Sequence, residues 1–174
     1  MTEGGSVLVE LKPVGPADAP MIFESWGRQP ENFTHLTARV FAELSDAQAY
    51  IAGLFQTSES RAFHILTSDG EVVGIVKAAV LGHRAQVGYV VSKPFWGQGF
   101  ATSAVRQLVA SLEASPAITR IWATCALDNP ASARVLEKSG FHREAILKKW
   151  VTYPARGGLA FDNYSYVRLP GMAG

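Results

Sequence analysis

The sequence predicts a mixed α/β (α+β) fold with a largely antiparallel sheet, and three observations carry that expectation. Two β-rich runs, Arg61–Thr67 and Glu71–Leu81, are joined by Ser68-Asp69-Gly70, and an Asp-Gly pair between such runs is a strong hairpin signal. Ala101, Ala104, Val105, Leu108, Val109 and Leu112 recur at helical spacing, so one apolar stripe faces a core. A second helix is punctuated at both ends: Asn129 as N-cap, Pro130 directly after it, and Gly140 as the stop.

Taken in order, Val7–Val14 predicts a first strand closed by Gly15-Pro16. Asp18–Trp26 predicts a short helix, with Pro20 tolerable only near its start. Gly27–Leu36 is irregular, and Thr37–Leu44 and Ala47–Phe55 are expected as helices. Ser45 and Gln48 form a capping-box pattern for the second of these, or mark a kink between the two. After the hairpin come a strand at Gln86–Ser92, the helix from Ala101, a strand at Arg120–Ala126 and the helix after Asn129. Two further strands are expected around Arg143–Thr152 and Asn163–Arg168, with the loop Pro154–Gly158 between them. No internal repeat or low-complexity segment interrupts the 174 residues, so residues 1–174 are expected to be one domain.

Composition narrows the function. Nearly half the residues are hydrophobic and 18% are charged, which suits a chain with a sizeable core. Lys and Arg number 16 against 15 Asp and Glu, with no run of like charges, so the clustered basic face that nucleic acid requires is not expected. The first residues, MTEGGSVLVELKPV, do not read as a leader, and no stretch approaches the ~20 apolar residues of a membrane span. Cys125 is the only cysteine and is expected to be a small core residue. The four histidines lack ligand spacing, so no metal is expected. A soluble, cytoplasmic protein follows.

The most informative stretch is Val87–Ala104, VGYVVSKPFWGQGFATSA, in which a strand ends, Gly97 and Gly99 follow, and a helix begins at once. The first amides of a helix have no internal partner and lie at the positive end of its dipole. Glycines let that backbone approach a bulky anion, so the segment can cradle a pyrophosphate. A tight strand-to-helix turn that binds nothing is the plainer alternative. No Gly-Lys-Ser/Thr follows, which excludes a Walker loop. The third glycine and the acidic residue about 20 positions on, expected of a dinucleotide fingerprint, are also missing.

Read together, VGYVV…PFWGQGFATSAV and DNPASARVLEKSGF resemble the GCN5-related N-acetyltransferase (GNAT) superfamily, and within it the branch of Rim-type ribosomal-protein alanine N-acetyltransferases. The resemblance spans about Val7 to Leu169, is strongest over Gln86–Phe141, and is thin in the N-terminal helices, where substrate is chosen. It implies a six- to seven-stranded, mostly antiparallel sheet with flanking helices and a V-shaped splay between two central parallel strands, Gln86–Val91 and Arg120–Ala126. It also implies acetyl-CoA as co-substrate. The family's Gln/Arg-x-x-Gly-x-Gly/Ala motif falls on Trp96, Gly97, Gln98, Gly99, Phe100 and Ala101, whose amides, with that of Thr102, are expected to hold the pyrophosphate. Trp96 stands where Gln or Arg is usual, a departure the Rim-like branch shares. Val90 and Val91 are expected to pair with the pantetheine arm, the Val91 amide to bond the acetyl carbonyl, and Asn129 to bond the arm as well.

The catalytic set is less complete. Where many relatives carry a proton-donating Tyr this chain has Leu136, and the Rim-like branch points instead to Ser132 within Asn-x-x-Ser. Ser132 is either that acid or a first-turn helix hydroxyl. The Glu of close Rim-type enzymes falls near Val151 and is absent. Tyr153, Asp162, Tyr166 or a water chain remain as the base, and turn or core roles are open for each residue. Trp26, Phe33, Trp150 and Tyr153 either line an acceptor pocket or belong to the core. Cys125 lacks a His or Asp partner and is a poor nucleophile. The expected reaction is direct transfer of acetyl to an amine: a protein N-terminus, a polyamine or a small-molecule amine. A non-catalytic acyl-CoA-binding module of the same fold is the alternative. A monomer or homodimer without membrane or nucleic-acid partners is expected.

Overall fold

The computed structural model describes residues 7–55 and 57–171; the first six residues, part of the N-terminal segment read above for a leader, lie outside them. Among the described residues seven strands form one sheet: β1 (Glu10–Pro13), β2 (Arg61–Leu66), β3 (Val72–Leu81), β4 (Arg84–Val91), β5 (Arg120–Ala126), β6 (His142–Thr152) and β7 (Ala160–Arg168). The helices are α1 (Ala19–Ile22), α2 (Leu44–Leu54), α3 (Phe100–Glu113) and α4 (Pro130–Lys138). The strand order is β1-β2-β3-β4-β5-β7-β6, and only β4 and β5 run parallel. The expected mixed, mostly antiparallel sheet is therefore observed, with seven strands.

Local chemistry accounts for most element boundaries. The β2–β3 turn closes through Gly70 N–H to the Thr67 carbonyl at 3.0 Å, with Gly70 at φ +87°. A second hairpin joins β3 to β4 through only Gly82 and His83, since Leu81 pairs with Arg84; the sequence reading left this gap wider. Asn129 caps α4 by accepting the Ser132 amide at 3.1 Å, and Gly140 ends that segment at φ +80°.

The N-terminal third departs from expectation. Pairing in β1 begins only at Glu10. Pro16–Asp18 is a 3-10 turn, and Phe23–Gly27 extends α1 as a single π turn. Thr37–Leu44 is not a helix. Phe41 is drawn into an aromatic cluster and its amide donates to the Gly27 carbonyl at 2.9 Å, a bond that helical local pairing would have consumed. The cap of α2 is also displaced: the Asp46 carboxylate accepts the Ala42 and Glu43 amides at 2.8 and 3.0 Å, so Glu43 rather than Ser45 is the N-cap.

Two apolar layers cover the sheet. On one face α3 buries Ala104, Val105, Leu108, Val109 and Leu112, joined by Leu136 of α4. On the other, α1 and α2 bring Ile22, Ala47 and Ile51 against Ala62, Ile75 and Val90. Trp26, Phe33, Phe41 and Tyr50 interlock there at centroid distances of 5.4–6.0 Å. Strand alternation divides β3 and β4 accordingly, with Val76, Ala78, Val87 and Val91 on the α3 face.

Gly74 shapes the end of β4. A Cβ there would lie 2.1 Å from the Val90 carbonyl oxygen and 2.9 Å from Val91 Cα, so only glycine lets β3 pass this close. Gly74→Ala is expected to destabilise the fold by about 2 kcal/mol through backbone displacement, read as a lower urea midpoint at unchanged slope.

Candidate active site

The parallel pair β4–β5 is joined only where Arg84, Ala85 and Gln86 face Arg120, Ile121 and Trp122. Beyond Gln86 the ladder stops, and the second halves of the two strands diverge on either side of a cavity of about 820 Å³. Ala123, Thr124, Cys125 and Ala126 line it from β5; Val87, Tyr89, Val90 and Val91 line it from β4. The gap the sequence anticipated is open.

Backbone direction follows from the β3–β4 ladder. Ser92 N–H donates to the Val73 carbonyl at 2.8 Å. By the alternation of an antiparallel pair, Val91 turns its own amide and carbonyl the other way, toward the gap. The Trp96 indole N–H takes that carbonyl at 2.6 Å, leaving the Val91 amide as a donor at the end of this edge. Val90, one residue earlier, faces β3 instead, so its contribution to the cavity is not through a free amide.

The turn after β4 delivers further donors. Gly97 and Gly99 stand at φ +74° and +92°, with no heavy atom within 4 Å of a Cβ at Gly97 and only Val7 Cγ2, at 3.6 Å, near one at Gly99. The first intrahelical bond of α3 runs from Ser103 N–H to the Gly99 carbonyl at 3.0 Å. The amides of Phe100, Ala101 and Thr102 therefore have no helical acceptor and sit at the positive helix end. Trp96, Gly97, Gly99, Phe100, Ala101 and Thr102 all line the cavity. Gln98 does not; its side chain donates to the Pro94 carbonyl at 2.9 Å. The Phe100 ring is buried, leaving only its backbone for a ligand.

Across the gap, Asn129 and Ser132 line the cavity from the start of α4. Asn129 Oδ1 is used as the cap, and its NH2 group is left to donate. Ser132 is not a back-bonded helix hydroxyl. Its Oγ lies 2.8 Å from the Tyr89 hydroxyl, which also reaches the Ser132 carbonyl at 3.2 Å. Burial pushes the Tyr89 phenol well above its ordinary range, so it stays protonated and serves as a donor. Sequence reading missed Tyr89; its place two residues before Val91 on the α3 face was the available signal. Cys125 is buried beside this pair, and burial pushes its thiol up to about 11. It is a protonated, unreactive thiol.

The opposite mouth of the gap is crossed by residues 29–35. Near β4, Ser92 Oγ donates to Gln29 Oε1 at 2.7 Å and Lys93 N–H to Asn32 Oδ1 at 3.0 Å. Near β5, His35 Nε2 lies 3.3 Å from Asp128 Oδ1. Arg156 grips Asp128 with two bonds of 2.7 and 3.1 Å and holds its carboxyl below the usual range. His35 lines the cavity, edge-on to Tyr153. Tyr153 reaches it too, with its hydroxyl accepting from Asn163 Nδ2 at 2.7 Å and burial raising its phenol. Asp162 is engaged by Lys148 and the Lys149 amide, and Tyr166 by Glu137 and Arg143, outside the cavity walls. Trp26 and Phe33 are consumed by the aromatic core, and Trp150 is exposed. Among the described residues no cluster could hold a metal ion, and no helix is long and apolar enough to cross a membrane.

Comparison with known proteins agrees with this geometry. The acetyltransferase (GNAT) domain family matches residues 9–142. The uncharacterized N-acetyltransferase p20 of Bacillus licheniformis is 26% identical over 159 residues, 87% of either chain. The ribosomal-protein-serine acetyltransferase of Escherichia coli K12 is 29% identical over 99 residues, 55% of either chain. The solved structure of RimL, a ribosomal alpha-N-protein acetyltransferase in complex with coenzyme A, superposes with a TM-score of 0.82 at 20% identity, covering 94% of this chain and 95% of that one. The chain belongs to the acetyltransferase (GNAT) domain family and is an N-acetyltransferase.

Proposed function

We propose that the chain, as a single N-acetyltransferase domain over residues 1–174, transfers acetyl from acetyl-CoA directly to a primary amine, on a protein N-terminus or a small molecule, in the cytoplasm. The observation that carries this reading is the abrupt end of β4–β5 pairing beside an α3 start whose amides are unspent. The amides of Gly97, Gly99, Phe100, Ala101 and Thr102 hold the pyrophosphate. The pantetheine arm enters the gap as an added strand, and the Asn129 NH2 group donates to it. The Val91 amide donates to the thioester oxygen and stabilises the negative charge that builds there as the amine attacks.

Protons are then handled from two sides. The amine nitrogen bonds the acyl carbon, the carbon–sulfur bond breaks, and the sulfur takes a proton from Ser132 Oγ, which regains one from solvent while the Tyr89 hydroxyl holds it by a hydrogen bond. His35, oriented by Asp128, removes the proton from the amine. A non-catalytic acyl-CoA-binding module would share the cradle but have no use for a Ser132–Tyr89 pair turned into the cavity.

Gly99→Val blocks the anion approach and is expected to weaken coenzyme A binding by calorimetry at least about 100-fold, while Gln98→Ala stays within about twofold. Equal affinities would remove the cradle. Ser132→Ala, Tyr89→Phe and His35→Gln are each expected to lower kcat about 100-fold with acetyl-CoA affinity unchanged, measured by thiol release on a panel of amines and N-terminal peptides. Undiminished turnover in any of them removes that residue from the mechanism.

A further inference from the structure

Among the described residues, the α1–α2 face of the sheet carries a cation, Lys77, with no ion-pair partner. Lys77 alternates with Ile75 on the α1–α2 side of β3, paired with Gly88 of β4. Its stem leans across that glycine: Cε would be 3.3 Å, and Cγ 3.7 Å, from a Cβ built there. A Cβ at position 88 would require the lysine stem to give by a few tenths of an ångström. The ammonium lies 5.3 Å from the centroid of the Tyr50 ring and lines the cavity. Among the described residues no carboxylate or carbonyl partners it. Glu31, the acidic residue of the strap, is 3.6 Å from Lys93 instead. Burial lowers the Lys77 pKa, and no opposite charge contributes to raise it.

Holding a half-buried ammonium without a counter-ion carries a cost that an apolar residue of similar length would avoid. A positive group kept under these conditions, turned into a cavity and steadied by an aromatic face, suits an anion that arrives with the substrate. Resting on the acetyl-transfer reading above, we propose that Lys77 selects the acceptor by binding an anionic group, carboxylate or phosphate, carried by the molecule whose amine is acetylated. Gly88 lies three residues, about 10 Å along the strand, from Val91, so amine and anion are separated by a spacer of several bonds. The same charge disfavours a polyamine, whose second ammonium would meet Lys77 in a site of low dielectric.

Four straight-chain probes sharing one primary amine test this: aminohexanoate, aminopentyl phosphate, the neutral aminohexanamide and diaminopentane. Binding is measured by calorimetry on the full chain, with and without saturating coenzyme A. The expected result is that at least one anionic probe binds about 10- to 100-fold more tightly than the neutral one, with the diamine weakest. The stronger anion identifies carboxylate or phosphate. Lys77→Met is expected to abolish that preference and leave the neutral probe and coenzyme A unaffected, and Lys77→Arg to retain it. Because Lys77→Met replaces a poorly solvated charge by an apolar chain of similar length, its Tm is expected to stay level or rise. The inference is overturned if neither anion binds better than the amide, if the preference survives in Lys77→Met, or if Lys77→Met lowers kcat on charged and neutral amines alike without changing their binding. Loss of coenzyme A binding in the unmodified chain would instead strike the acetyl-transfer reading, and the two failures are read from separate titrations.

Discussion

Main-chain donors and acceptors along two diverging strands have to be satisfied, and everything else around the cavity is arranged by that demand. In a continuous sheet the second halves of β4 and β5 would pair with each other. Here the ladder ends at Gln86 and Trp122, and the fold answers part of the deficit itself: the Trp96 indole takes the Val91 carbonyl. The Val91 amide remains for something that arrives from outside. A gap of this kind is tolerable because it is wet or filled by a ligand; dry and empty, it would cost free energy for each unpaired group.

The elements around the gap keep it from closing. Gly74 lets β3 run tight against the end of β4, so that strand is held from one side only. Helix α3, anchored by a buried apolar stripe, fixes its own first turn at the wide end of the opening. The strap of residues 29–35 is tied to both rims, through Ser92 and Lys93 on one side and Asp128 on the other. In the proposed reaction, donor and acceptor sites lie on opposite faces of one sheet and meet through the slot between β4 and β5.

Much of this was legible in the sequence because the signals were local. The Asp69-Gly70 turn, the stripe of α3 and the Asn129-Pro130 cap each depend on residues a few positions apart, and all three elements formed as expected. The succession of strand, two glycines and helix around residues 91–102 was legible for the same reason, since these elements are contiguous. What escaped was set by tertiary contact. Thr37–Leu44 has helical composition, yet the burial of Phe41 against Trp26 and Phe33 outweighs it. Tyr89 and Ser132 are 43 residues apart, and His35 and Asp128 still further, so nothing in the linear order announces that they touch. Lys77 faces Gly88 only through the β3–β4 register, which linear order does not spell out.

In the proposed reaction the two substrates are recognised by different chemical vocabularies. The coenzyme side is written chiefly in peptide groups, with the Asn129 side chain beside them, and peptide groups are the same whatever side chains the strand and helix carry, so long as the glycines remain. The acceptor side is written in Lys77 and the strap residues before His35, which can change without touching the donor cradle. A lineage built this way can change the molecule it modifies by a handful of substitutions on one face while its energy-rich reagent stays constant.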